Sequence, residues 1–158
     1  MNAEPSLESI RGYLFFGDNL ATSGMPEPAH FAAMRAVGFE VVINLALPTS
    51  DFAMPDEGAL VTGQGMTYVH LPVKFDAPTR EDFERFTRLM DLFSAQRVFV
   101  HCAANMRVSA FVFLHRMRTG TVERLAAERD LKAIWEPDAV WRGLINRLLA
   151  EWSLPPLD

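Results

Sequence analysis

Cysteine is almost missing from this chain: Cys102 is the only one. No disulfide can form within one copy, and metal sites built from several thiolates are excluded. Long hydrophobic runs are missing too, since no stretch approaches the roughly 20 apolar residues of a membrane-spanning helix. From Met1 to Phe16 there is one basic residue, Arg11, and the apolar run Leu14-Phe15-Phe16 is too short for the core of a secretion signal. These two lacks predict a cytoplasmic location and no membrane partner. Positive charge is in deficit, with 15 Lys and Arg against 20 Asp and Glu, a formal charge of -5. That balance argues against a general nucleic-acid partner, while leaving room for a local basic pocket.

What is there is the composition of a globular domain. About half of the 158 residues are apolar, enough for a core without disulfides or a structural metal. One domain is expected over residues 1–158, with a core at about 13–120 and C-terminal helices within 121–152. Strand-like and helix-like segments alternate. Tyr13 to Phe16 reads as a short strand, and Pro26 and Pro28 introduce a helix carrying Phe31, Met34 and Val37, closed by Gly38. Val41-Val42-Ile43 and Val98-Phe99-Val100 read as strands buried on both faces, with Thr67 to Leu71 a further strand. Asp56 to Gly63 reads as a short helix. Thr79 and Asp82 stand in capping-box spacing before a stripe of Phe83, Phe86, Leu89, Met90 and Phe93. Val108 to Thr119 is a helix stopped by Gly120, Thr121 caps another, and Pro137 opens a last one. The alternation predicts an α/β fold: three layers, a mainly parallel sheet of about four to five strands, and helices on both faces.

In such sheets ligands bind beyond the C-terminal strand ends. His101-Cys102 falls there, followed by Ala103-Ala104-Asn105-Met106-Arg107-Val108-Ser109. A tight loop between a strand and a helix start turns its backbone N–H groups toward one centre, a nest suited to a tetrahedral oxyanion. The amides of Ala103, Ala104, Asn105 and Met106 are the candidate cradle for inorganic phosphate or a sulfate-like anion. The same field stabilises a thiolate at Cys102. Arg107 offers a planar fork for phosphate-like oxygens. Nucleophile, amide nest and guanidinium together describe covalent transfer of an oxyanionic group.

The run resembles the signature of the protein tyrosine and dual-specificity phosphatases, His-Cys-x5-Arg followed by Ser or Thr at the end of a buried strand. Asn44-Leu45 after an apolar strand, and Pro72 and Pro78-Thr79 before a helix, resemble the small members of that family. The likeness runs from about Tyr13 to Gly120. It is greatest for an uncharacterised bacterial branch with His-Cys-Ala-Ala-Asn in the loop, sometimes fused to β-lactamase-like hydrolases. The resemblance implies that Cys102 attacks phosphorus to form a phosphocysteine, that Arg107 binds the equatorial oxygens, and that His101 helps to stabilise the thiolate. It implies no cofactor or metal, and a phosphorylated protein or small phosphomonoester as substrate.

The departures are specific. Four residues separate Cys102 from Arg107 where the signature has five, so one backbone donor is lost. A hydrogen bond to a charged group is worth roughly 1.5–3 kcal/mol. Asn105 stands where the family keeps a glycine; it tolerates positive φ, and its side-chain amide could replace the missing donor. Val108 replaces the hydroxyl that follows the arginine, with Ser109 one residue later. The general acid expected for the leaving alkoxide is Asp76, in Lys74-Phe75-Asp76-Ala77-Pro78, with Lys74 and Arg80 adding positive potential. Asp82 is accounted for by capping, and Asp51 and Asp56 lie in another loop near the same mouth.

Two other functions are compatible with these residues. A Cys-x4 loop closing on a basic residue resembles the rhodanese loop of sulfurtransferases, which carry a persulfide. A catalytically silent module binding phosphorylated or anionic partners is the third. Trp135, Trp141 and Trp152 read as packing anchors, and His30, His70 and His115 lack metal-ligand spacing.

Overall fold

The computed structural model describes residues 5–158. Strands β1 (Leu14–Phe15), β2 (Leu20–Ser23), β3 (Val41–Asn44), β4 (Thr67–His70) and β5 (Val98–His101) form one sheet. Their order is β1-β2-β5-β3-β4, and only the β1–β2 pair is antiparallel. Every residue of β3 and β5 is buried, which is why these strands read as unbroken apolar runs instead of alternating ones. β5 lies between β2 and β3, with Phe99 in register with Ala21 on one side and Val42 on the other.

The helices are α1 (Pro28–Ala36), α2 (Glu57–Gly63), α3 (Arg80–Leu92), α4 (Met106–Thr119), α5 (Arg124–Ile134) and α6 (Ala139–Glu151). They cover both faces of the sheet. On one face Val42 and Phe99 meet Phe31 and Met34 of α1 and Val61 of α2. On the other, Val41, Ile43, Val98 and Val100 meet Phe83 and Phe86 of α3, much of α4, and Trp141, Leu144 and Leu148 of α6. The split follows the two-residue period of a strand. The chain is therefore a single α/β domain with a mostly parallel sheet, as its alternating pattern predicts. None of the described helices is long and apolar enough to cross a membrane.

Several local expectations change. Leu20-Ala21-Thr22-Ser23 has little strand propensity, yet it forms β2 because pairing with β5 outweighs it. Glu123, not Thr121, is the N-cap of α5. Asp138 caps α6, with Pro137 just outside. Helix α4 begins two residues before Val108, which puts Arg107 inside its first turn. The expected Thr79–Asp82 capping box is present, each side chain accepting from the other's backbone N–H at 3.1 and 2.9 Å.

Candidate active site

The loop between β5 and α4 is held from beneath by the end of β2. Cys102 N donates to the Ser23 carbonyl at 3.3 Å, and Met25 N donates to the Ala103 carbonyl at 3.0 Å. Gly24 makes that approach possible, for a Cβ there would stand 2.7 Å from the Ala103 oxygen and 3.1 Å from Ala104 Cα. Asn105 takes the left-handed conformation, φ 63°, and the chain enters the right-handed helix at the next residue. A left-handed residue beside a right-handed one is the backbone form of an anion nest. Among the described residues, the amides of Ala103, Ala104, Met106, Arg107 and Val108 have no acceptor. They form, with the N-terminus of α4, a field that favours an anion.

The side chain of Asn105 faces inward. Its Nδ2 donates to the Gly12 carbonyl at 2.7 Å and to Thr22 Oγ1 at 2.9 Å, bracing the loop. Both amide protons are thereby used, so the side chain supplies no donor to the cradle. Ser109 gives its one hydroxyl proton to the Met106 carbonyl at 3.0 Å. Cys102 itself is buried.

Arg107 is buried at the second position of α4. Its guanidinium donates to the Val73 carbonyl at 3.0 Å and lies 5.7 Å from the Phe75 ring. Its Nε–H is buried with no acceptor among the described residues. A buried guanidinium with an unused donor fits an anion, because an orphaned donor otherwise costs about 1–3 kcal/mol. The segment that positions Arg107 is also the one expected to carry the acid. Asp76 is exposed in that segment, as is Lys74. Trp141 Nε1 donates to the Phe75 carbonyl at 2.7 Å, so α6 holds this segment in place. Arg80 is engaged elsewhere, by Glu84 at 3.0 Å and Glu151 at 2.8 Å, so its charge is neutralised. Asp51 and Asp56 are exposed in the loop before α2.

His101 brings in residues that the sequence reading missed. Its Nε2 stands 2.7 Å from Glu57 Oε2, with both side chains buried. Its Nδ1 faces the Cys102 carbonyl at 3.3 Å. Asn44 Nδ2 reaches Glu57 Oε1 at 3.4 Å and the Tyr68 hydroxyl at 3.1 Å, while Asn44 Oδ1 accepts from Ala46 N at 2.8 Å. Burial, the largest effect, pushes the Tyr68 hydroxyl up to about 12; its hydrogen bond from Asn44 lowers it, and the Glu57 carboxylate adds to the rise. Glu57 looks in sequence like an ordinary first-turn acid. The available signal was its delivery by the helix after β3, next to the strand that ends in His101.

A cavity of about 540 Å³ opens beside the loop at Ala103. Met25, Pro26, Phe52 and Met54 give it apolar walls, with Arg11, Glu27 and His30 also lining it. No cluster of His, Cys, Asp or Glu among the described residues could hold a metal ion.

A buried strand ending in His-Cys, an amide nest and a buried arginine match a known family. Residues 22–138 fit the family model described as "DSP-PTPase phosphatase fused to NAD+ Kinase". The chain belongs to this phosphatase family. That description names an NAD+ kinase as fusion partner, where the sequence resemblance pointed to a β-lactamase-like hydrolase. No curated protein matches at a significant level. Among solved structures, a DUF442 protein of Shewanella putrefaciens CN-32, provisionally assigned as a phosphatase, is 35% identical. That match covers 92% of this chain and 96% of the other, with a TM-score of 0.83. More distant members of the fold include Pseudomonas aeruginosa TpbA in complex with phosphotyrosine, at 14% identity, TM-score 0.67 and 90% coverage of both chains. PTPMT1 in complex with PI(5)P is 13% identical with a TM-score of 0.73, covering 89% of this DSP-PTPase chain and 96% of its own. At those identities the likeness is one of fold.

Proposed function

We propose that this DSP-PTPase chain is a cysteine-dependent phosphatase that hydrolyses phosphotyrosine or another phosphomonoester through a phosphocysteine. The observation that carries this reading is the buried Arg107 with its unused Nε–H beside a loop of free amides that starts at Cys102. The Cys102 thiolate attacks phosphorus, the S–P bond forms, and the P–O bond to the leaving group breaks. Asp76 gives that alkoxide its proton. Water then attacks the phosphocysteine and yields its proton to the Asp76 carboxylate, and the S–P bond breaks to release phosphate and regenerate the thiolate. The amides of Ala103, Ala104 and Met106 and the Arg107 guanidinium stabilise the charge on the equatorial oxygens throughout.

Relatives of this fold have been solved with phosphotyrosine and with a phosphoinositide, which supports a phosphomonoester substrate. The apolar walls of the cavity at Ala103 favour an aromatic leaving group over a small polar one.

The test is hydrolysis of an aryl phosphate across about pH 5 to 8 by the wild-type chain and by Cys102→Ser. Turnover by wild type alone, abolished by vanadate, is the expected result. Equal rates for the two chains at every pH would overturn phosphoryl transfer. A thiosulfate-to-cyanide assay on the same samples then separates a sulfurtransferase from a silent binding module.

A further inference from the structure

We infer that Glu57 is a positioning residue that keeps His101 doubly protonated against the Cys102 backbone, and so keeps Cys102 reactive. This rests on the proposed function for its purpose, though not for its geometry. Two nitrogens reach the Glu57 carboxylate, His101 Nε2 at Oε2, 2.7 Å, and Asn44 Nδ2 at Oε1, 3.4 Å. Ala46 N on Asn44 Oδ1 fixes the Asn44 amide as a donor to Oε1, and we take Glu57 as the ionised, acceptor-only partner of the ring at Oε2. His101 Nε2 must then carry a proton. The other ring nitrogen faces the Cys102 carbonyl at 3.3 Å, and a carbonyl can only accept, so Nδ1 carries one as well. Both ring nitrogens donate, and the ring is an imidazolium.

The neighbours of His101 leave no other partner for that charge. Asn44 of β3 and Ser23 of β2 are its uncharged neighbours in the sheet register, and Ser23 Oγ donates to the Gly24 carbonyl at 2.7 Å. From β4, the Tyr68 hydroxyl accepts from Asn44 Nδ2 at 3.1 Å, and His70 Nε2 lies on the Ala46 carbonyl at 2.7 Å. Glu57 from α2 is the only carboxylate on the ring among the described residues. The positive end of the pair is one ring closer to Cys102 than the negative end, and Coulomb energy falls with distance, so the net effect favours the thiolate. Burial of such a pair is a weak way to stabilise a fold, because desolvation offsets much of the attraction. A role at the adjacent nucleophile gives it a purpose.

Because Cys102 is the only cysteine, any thiol reaction reports on it alone. Two readouts test the inference, neither requiring phosphatase turnover. In the wild-type chain, nitrogen NMR of labelled histidine at neutral pH should show both ring nitrogens of His101 protonated. In Glu57→Gln the ring should fall to one proton, and alkylation of Cys102 by iodoacetamide at neutral pH should slow about tenfold. A wild-type His101 with a single ring proton would overturn the inference without any variant, so a Glu57→Gln chain that fails to fold does not protect it. Unchanged alkylation in a folded Glu57→Gln chain would overturn it equally. If both readouts come out as expected while aryl phosphate is not hydrolysed, the proposed function fails and the Glu57 assignment stands.

Discussion

Gly24 has no chemistry of its own, yet its missing side chain sets how closely the loop can lie against β2. A methyl group there would sit 2.7 Å from the Ala103 oxygen, 3.0 Å from the Arg11 oxygen and 3.1 Å from Ala104 Cα. All three are backbone atoms, so no side chain can swing aside. Gly24→Ala must push the loop off β2, and overpacking of this kind costs about 1–3 kcal/mol. Misplacing a catalytic group by about 1 Å costs on the order of 10²-fold in rate. We expect Gly24→Ala to lose about that much kcat on an aryl phosphate while the melting temperature falls by only several degrees. A kcat within twofold of wild type would show that the loop does not depend on this contact. Asn105 belongs to the same bracing system: its left-handed backbone and two inward bonds hold the short loop to Gly12 and Thr22. The tolerance of asparagine for positive φ was legible in the sequence; the direction of its side chain was not, because Gly12 and Thr22 are remote in sequence.

Helices α3 and α4 carry a second buried polar contact, away from the loop. Arg118 Nε donates to Thr87 Oγ1 at 3.1 Å, and the Thr87 hydroxyl stands 2.7 Å from His115 Nδ1. With its oxygen accepting from Arg118, the Thr87 hydroxyl still has a proton to give His115 Nδ1, a bond that suits the neutral ring. Burial first, and the Arg118 charge second, hold His115 below its ordinary range, with Asp91 pulling weakly the other way. Below about pH 6.5 the unfolded chain binds a proton there that the folded chain resists. The unfolded state then holds more protons, and stability falls as pH falls. Between pH 7 and about pH 5, His115→Gln should lose less melting temperature than wild type loses. Parallel curves for the two chains would refute this assignment. At this scale the sequence was informative where periodicity is strong: the stripe of α3 and the buried runs of β3 and β5 were readable. It was silent on β2, whose Thr22 and Ser23 are buried by pairing and not by propensity. Glu57 was hidden for the same reason, since nothing local marks a first-turn acid as the partner of a histidine on another strand.

The whole molecule places its C-terminal helices far from the loop in sequence and close to it in space. Trp141 of α6 is fully buried against Phe111 of α4, and its ring edge donates to the Phe75 carbonyl at 2.7 Å. Phe75 in turn lies under Arg107, whose guanidinium takes the Val73 carbonyl of the same segment. One chain of contacts thus runs from α6 through the Asp76 segment to the cradle. The sequence identified Trp141 as a packing anchor, which it is, but could not show that its indole N–H also fixes a loop 66 positions away. The two roles separate in one substitution. Trp141→Phe keeps most of the apolar burial and removes the donor, leaving the Phe75 carbonyl unpaired at a cost of about 1–3 kcal/mol. If the segment carries the general acid, kcat should fall for substrates with poor leaving groups, such as an alkyl phosphate. It should change little for an aryl phosphate whose leaving group departs without a proton. A purely structural tryptophan would lower both rates together, in step with the fraction folded. The ratio of the two kcat values, measured well below the melting transition, therefore decides whether α6 only completes the core or also sets the acid.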